Sequence, residues 1–223
     1  MDLEPIWLSL RLAALTTFLL LLIGIPIAYW LSRRQSLFRI IVEAFITMPL
    51  VLPPSVLGFY LLLAFSPNNA LGKWLQEYLS LQLVFSFEGL VFASLIYSLP
   101  FMISPLRSAF AQLPRSIAEA SYTMGKSRLQ TFFYILLPNI KYSIFTAAVL
   151  TFAHTLGEFG VVLMIGGNIP GVTKVASIAI YDSVETMDYA SANDYAFLLF
   201  AITFTIVLAV FIFNRKAIKS PFE

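Results

Sequence analysis

No cysteine occurs in these 223 residues, and histidine occurs once, at position 154. The first absence removes disulfides, thiolate metal sites and cysteine nucleophiles, and leaves the redox compartment open. The second removes any histidine-cluster metal centre, and no paired intramembrane acids stand in for one, so an enzyme's constellation of nucleophile, base and ligand is hard to assemble. Charge is equally scarce: 12% of residues are charged and 59% hydrophobic, with a mean hydropathy of +0.85. Those proportions exclude an ordinary soluble domain of this length. Linkers, low-complexity tracts and repeats are also missing, which predicts one domain over 7–214 followed by a short basic tail at 215–223.

What the chain has instead is apolar runs. A helix needs about 20 residues to cross a hydrocarbon core of about 30 Å. Runs of that order lie at Leu12–Leu31, Ala44–Phe65, Gly89–Leu106, Ile144–Ile165 and Tyr195–Phe213, so the expectation is an all-α integral membrane protein of about five spans. The run Tyr78–Phe87 is too short to cross and is expected to pack at the outer surface or enter as a re-entrant segment. The first span lacks a basic leader and a small-residue cleavage site, and is read as retained.

Basic residues alternate between the loops. One set holds Arg33, Arg34 and Arg39, then Arg107, Arg115, Lys126, Arg128 and Lys141, then Arg215, Lys216 and Lys219, while the other holds Lys73 and Lys174. Since basic residues of short loops stay cytoplasmic, the first set is expected inside. The N-terminus, with Asp2 and Glu4, then faces outward, the C-terminus is cytoplasmic, and Asp182, Glu185, Asp188 and Asp194 lie in an outer loop. A multi-pass membrane protein follows.

The cytoplasmic stretch 111–141 has its own helix punctuation. Ser116-Ile117-Ala118-Glu119 reads as a capping box, Gly125 as the left-handed residue ending a helix, and Ser127-Arg128-Leu129-Gln130 as a second capping box, with Pro138 disturbing the helix that follows. Ile117, Ala120, Ser121 and Met124 share the i, i+3, i+4, i+7 face of the first helix, narrow in its middle and suited to a partner's groove. Ala120 to Ser127 also reads as Ala-x-x-x-x-Gly-Lys-Ser, close to a phosphate-binding loop. Such a loop must follow a buried strand and open a helix, and this stretch does neither. A DNA-binding reading of the paired helices fails because spans tether them closely and basic residues are few.

Glu119-Ala120-Ser121, three residues, Gly125, nine residues, then Ile135-Leu136-Leu137-Pro138 resembles the cytoplasmic coupling loop of ATP-binding-cassette importer permeases, with Ser121 where the family pattern has a second Ala. Three further segments look like the molybdate branch of that family: Met48-Pro49-Leu50-Val51-Leu52-Pro53-Pro54, Leu156-Gly157-Glu158-Phe159-Gly160 and Asn168-Ile169-Pro170-Gly171. The resemblance implies a type I importer transmembrane domain that moves molybdate by alternating access, with sulfate or tungstate as alternative cargo. It implies a homodimer, a separate pair of ATPase subunits binding ATP and Mg, and an extracytoplasmic oxyanion-binding protein. This chain itself would carry no cofactor, metal or catalytic residue and bind no nucleic acid. Coupling to the ATPase would fall to Ile117, Glu119, Ala120, Ser121, Met124, Gly125, Ile135, Leu137 and Pro138. An ATP-independent channel or carrier is the rival, and the coupling loop argues against it.

Pro49, Pro53 and Pro54 are expected to bend the second span beside a gate or cavity. Thr47, Ser55, Ser94, Ser98, Thr151 and Thr155 are expected either to line a conduit or to bridge helices. Glu158 is expected inside the fourth span with His154 one turn away on the same face. A carboxylate opposes a dianion, so Glu158 is read as structural or gating, hydrogen-bonded, protonated or paired with Arg11, and His154 as a neutral bridge between helices.

Overall fold

A computed structural model describes residues 2–33 and 36–218, with side chains as far as Ile212. Arg34, Lys219, the side chains of Arg215 and Lys216, and most of the tail at 215–223 lie outside the described residues. The elements are helical, with no strand among the described residues. They are α1 (Glu4–Arg33), α2 (Leu37–Thr47), α3 (Pro54–Phe65), α4 (Ala70–Leu79), α5 (Phe87–Gln112), α6 (Arg115–Thr123), α7 (Arg128–Thr131), α8 (Leu137–Asn139), α9 (Lys141–Leu156), α10 (Gly160–Gly166), α11 (Ala176–Glu185) and α12 (Tyr189–Ile218).

Three of these, α1, α5 and α12, are individually long and apolar enough to cross a membrane, and the number rises to five if each of two bent pairs forms one span. The second span is not a bent helix but a broken one. Pro49 sits in a 3-10 turn at Met48–Leu50 and Pro54 opens α3, and the two halves meet at 110°. Proline supplies no backbone N–H and disfavours the helical conformation for the residue before it, so two prolines in succession end one helix and start another. The other bent pair is 128–139 with α9, at 73°, and the run 144–165 expected as one span is itself interrupted: α9 ends at Leu156, and α10 begins only at Gly160. Glu158 therefore occupies a helix break and not a turn of helix shared with His154.

Helices α1, α5 and α9 form the centre. Leu20, Ala28, Met102, Leu106 and Ala147 are fully enclosed or nearly so where the three meet toward the α6–α8 end. At the opposite end Leu12, Leu90, Val161, Ile165 and Ile178 bring in α10 and α11. In its most apolar stretch α5 is 56% buried while α12 is only 11% buried, so α5 is the axial helix and α12 a peripheral one. Ser9 links α1 to α11: its hydroxyl donates to the Pro5 carbonyl at 2.9 Å and accepts the Ala176 N–H at 2.8 Å.

The run Tyr78–Phe87 divides. Its first two residues end α4, and the remainder before α5 is irregular, but it does not merely lie on the surface. Leu83 and Val84 are buried, and the Phe85 N–H donates to the Ile165 carbonyl at 2.9 Å. The run too short to cross thus covers the end of α10.

Candidate functional site

The connection between α5 and α9 is built from local rules. Helix α5 ends at Gln112, and Pro114, with φ −57° and ψ 134°, stands as the N-cap of α6. The expected capping box at Ser116 does not form: α6 starts one residue ahead of it, Ser116 is already helical, and no side chain caps the helix. The extended backbone at Leu113 and Pro114, with ψ of 126° and 134°, takes the chain out of α5, sets the start of α6 and pre-empts the serine. At the other end Gly125 has φ +79°. Its N–H donates to the Tyr122 carbonyl at 2.9 Å and the Lys126 N–H to the Ser121 carbonyl at 3.1 Å, the paired bonds of a Schellman turn.

The second capping box is present as the sequence predicts. Ser127 Oγ accepts the Gln130 N–H at 3.2 Å while Gln130 Oε1 accepts the Ser127 N–H at 3.0 Å. A buried hydroxyl pair, Ser121 Oγ and Thr131 Oγ1 at 2.9 Å, then ties α6 to α7. Turn, cap and cross-bond together make the two short helices one unit.

This arrangement corrects the expected outward face. Ser121 points into the α6–α7 junction and is 5% exposed, and Ile117 is half-buried, while Ser116, Glu119, Ala120, Thr123 and Met124 are exposed. The outward face is thus rotated by about a quarter turn from the one read off the apolar spacing. Periodicity found a stripe, but the hydroxyl of Ser121 found an internal partner that pattern alone does not show.

After α7 the chain winds through a π-helical turn, Phe132–Leu136, into α8, and α9 leaves at 73°. The wide turn puts Leu136 in the core, between half-buried Ile135 and Leu137, with Pro138 exposed. Phe132 is joined to α1 and α5 by rings: Tyr29–Phe132 centroids are 4.8 Å apart, Tyr29–Phe110 5.3 Å and Phe110–Phe132 6.1 Å. Sequence reasoning missed this cluster. Three aromatics from three distant segments leave no spacing signal.

A second polar constellation lies where the fourth span breaks. Ser94 donates to Glu158 Oε2 at 2.8 Å, and Ser177 donates to the Glu158 backbone carbonyl at 2.6 Å. Glu158 is 4% exposed, and its Oε1 has no hydrogen-bond partner. Arg11 is not its partner, since that guanidinium lies 4.6 Å above the ring of Phe87. Nearby, Ser98 Oγ is 2.9 Å from His154 Nδ1 and 2.8 Å from Thr155 Oγ1, and the His154 ring stacks on Phe101 at 3.8 Å. Ser94, Ser98, Thr151 and Thr155 are thus buried between helices, while Ser55 is exposed and Thr47 bonds the carbonyls of its own helix.

The break is seated on α3 by two glycines. A Cβ at Gly160 would stand 2.9 Å from Pro54 Cβ, and one at Gly58 3.0 Å from Val161 Cα. Pro54 and Glu158, expected separately as pathway candidates, therefore flank one close crossing of α3 and α10. Pro49 is buried and Pro53 exposed beside it. No group of His, Cys, Asp and Glu able to hold a metal ion occurs among the described residues.

The family description "Binding-protein-dependent transport system inner membrane component" matches residues 21–218. The molybdenum transport system permease protein ModB of Azotobacter vinelandii is 46% identical over 215 residues, covering 96% of this chain and 95% of that protein. ModB of Escherichia coli K12 is 33% identical over 187 residues, 82% of each. A probable sulfate transport system permease of Nephroselmis olivacea is 31% identical over 187 residues, 84% of this chain and 66% of that one. Among solved structures, an inward-facing MetNI methionine ABC transporter aligns with TM-score 0.73 at 17% identity over 96% of this chain and 94% of the other. A bacterial ABC transporter that imports alginate aligns with TM-score 0.78 at 17% identity over 97% and 80%. The all-helical fold is therefore that of ABC-importer transmembrane domains, and the chain belongs to the binding-protein-dependent transport system inner membrane components, as a non-enzymatic ABC-transporter permease subunit.

Proposed function

We propose that this permease carries molybdate into the cell, driven by a separate ATPase pair that docks on the α6–α7 unit. The observation that carries the cargo assignment is the 46% identity to a molybdenum permease along nearly the whole of both chains. Sulfate is the second reading, favoured by the 31% identity to a probable sulfate permease. Two copies of the chain enclose the conduit, an extracytoplasmic oxyanion-binding protein delivers the anion, and ATP and Mg reside on the partner subunits. The α6–α8 end, which gathers Arg33, Arg39, Arg107, Arg115, Lys126 and Arg128, faces the cytoplasm, and the N-terminus faces outward.

Coupling follows from the mechanics of the loop. A unit fixed by the Schellman turn, the Ser127 cap and the Ser121–Thr131 bond moves as one body, and the Phe132 ring hands its displacement to Tyr29 on α1 and Phe110 on α5. A partner that contacts Ala120 and Met124 differently in its two nucleotide states thereby biases the bundle. Cargo is tested by uptake of labelled molybdate in cells expressing the complete system, with sulfate, tungstate and phosphate as competitors. Inhibition by tungstate but not by excess sulfate is expected. Equal competition by sulfate assigns the chain to the second reading.

A further inference from the structure

Two interruptions of the helices meet at one place. The break between α2 and α3 falls at 48–53 and that between α9 and α10 at 157–159, and Gly160, where α10 opens, stands against Pro54 and the Ser55 backbone, where α3 opens. Glu158 of the second break is bonded to Ser94, seven residues past Phe87, where α5 begins. At about 1.5 Å per residue the junction lies about 10 Å in from the end of that spanning helix, at the depth of the hydrocarbon core.

At the first break the backbone keeps acceptors without donors. Val51 and Leu52 both donate to the Met48 carbonyl, at 3.0 and 3.1 Å, and Val56 and Leu57 both to the Pro53 carbonyl, at 2.9 and 3.2 Å. Pro53 and Pro54 have no N–H to give. The carbonyls of Leu50, Val51 and Leu52 therefore accept no hydrogen bond among the described residues. Nor are these residues enclosed: Val51 is 86% exposed and Leu50 53%, with Pro53 and Ser55 exposed beside them. Hydrocarbon cannot cover such a face, because irregular backbone at membrane depth persists only where protein or a water-filled cavity satisfies it. The apolar face of α12, with Phe197, Phe200 and Phe204 exposed, makes no such demand, since a continuous helix satisfies its own backbone. A second copy packed dry on the break fails too: in a two-fold contact the same face meets itself, carbonyl against carbonyl. Water between two copies meets the demand.

We propose that the α2–α3 break lines the water-filled route of the cargo, with Leu50, Val51 and Ser55 facing the passing oxyanion and the peptide carbonyls of 50–52 holding water around it. This deepens the reading in which two copies enclose a conduit and rests on it, but not on which oxyanion passes. Ser55 supplies donors there, an exposed hydroxyl and the first N–H of α3, which has no partner within its helix. Gly157 of the second break is exposed as well and continues the lining. Glu158 stays out of the route: it is 4% exposed with one oxygen on Ser94, so its carboxylate does not meet the anion.

The chain has no cysteine, so a single introduced thiol reports its own surroundings. The test uses the permease–ATPase complex with its binding protein in proteoliposomes, labelled during turnover with a charged, lipid-insoluble methanethiosulfonate or with an apolar maleimide. Labelled permease is read by mass and transport by molybdate uptake. Val51→Cys should transport like wild type, react with the charged reagent and then lose uptake, with excess molybdate slowing the reaction. Ser55→Cys, nearly isosteric, should behave alike and carries the test where Val51→Cys does not assemble. Phe204→Cys on α12 should react with the apolar reagent alone and keep its uptake. Reaction of the two break variants with the apolar reagent alone places the break against lipid, and reaction with neither places it in a dry contact. Charged labelling that leaves uptake intact places it off the route. Each of these overturns the proposal, as does equal charged labelling of Phe204→Cys. Native mass of the unlabelled complex counts the permease copies, so failure of the two-copy reading shows separately from failure of the labels.

Discussion

Replacing Gly160 by alanine should force α10 away from α3, and the size of the effect follows from the crossing itself. The added Cβ would meet Pro54 Cβ at 2.9 Å and the Ser55 backbone nitrogen at 3.2 Å, against about 3.5–4.0 Å for unstrained carbon contacts. Neither neighbour can rotate aside, since one belongs to a ring and the other to the main chain, so the helices must separate by roughly 0.6–1 Å. Overpacking of this kind costs about 1–3 kcal/mol, which for a chain of this length corresponds to about 2–4 °C of melting temperature per kcal/mol. Gly157 is the internal control. A Cβ there finds nothing nearer than the Ala153 carbonyl oxygen at 3.8 Å, and its φ of −91° suits alanine. Gly157→Ala should therefore be near neutral. The assay is thermal unfolding of the purified permease in mild detergent together with molybdate uptake at matched abundance. If Gly160→Ala melts and transports like Gly157→Ala, the close crossing does not hold the break in place and the reasoning fails.

Gly125→Val should loosen the α6–α7 unit by about 1–2 kcal/mol, from the left-handed backbone alone, because no atom lies within 4 Å of the new Cβ; Gly125→Asn should recover most of it, and unchanged ATPase retention in the Val variant removes the role of the turn. Ala120→Trp, on the exposed face of α6, should insert normally but lose its ATPase during purification, and ordinary co-purification with transport-coupled hydrolysis would show that another surface docks. Glu158→Gln should support near-normal uptake, since Ser94 retains an acceptor, whereas Glu158→Ala should lower the yield of assembled complex by stranding buried Ser94, at a cost of about 1–3 kcal/mol. A Gln variant with altered competition among oxyanions places Glu158 in the selectivity path instead.

The sequence by itself determined whatever depends on neighbours along the chain. Apolar runs long enough for lipid predict α1, α5 and α12, and the φ demanded by Gly125 and the reciprocal Ser127–Gln130 cap follow from residues a few positions apart. Pro49, Pro53 and Pro54 announce a bend, because a missing N–H and a restricted preceding residue act locally, though not that the helix breaks there. The tertiary structure alone decided which way those elements face and what they meet. Ser121 turned inward because Thr131 lies across a turn that only the folded loop brings close, and Ser116 lost its cap to the path of the chain leaving α5. Glu158 found Ser94, 64 positions earlier in sequence, and not Arg11, whose guanidinium was taken by Phe87. The close crossing of α3 and α10 depends on Gly58 and Gly160 letting two backbones approach, a contact between segments about 100 positions apart in the chain. No spacing can reveal that Tyr29, Phe110 and Phe132 meet, because long-range packing brings together groups whose separation along the chain carries no period.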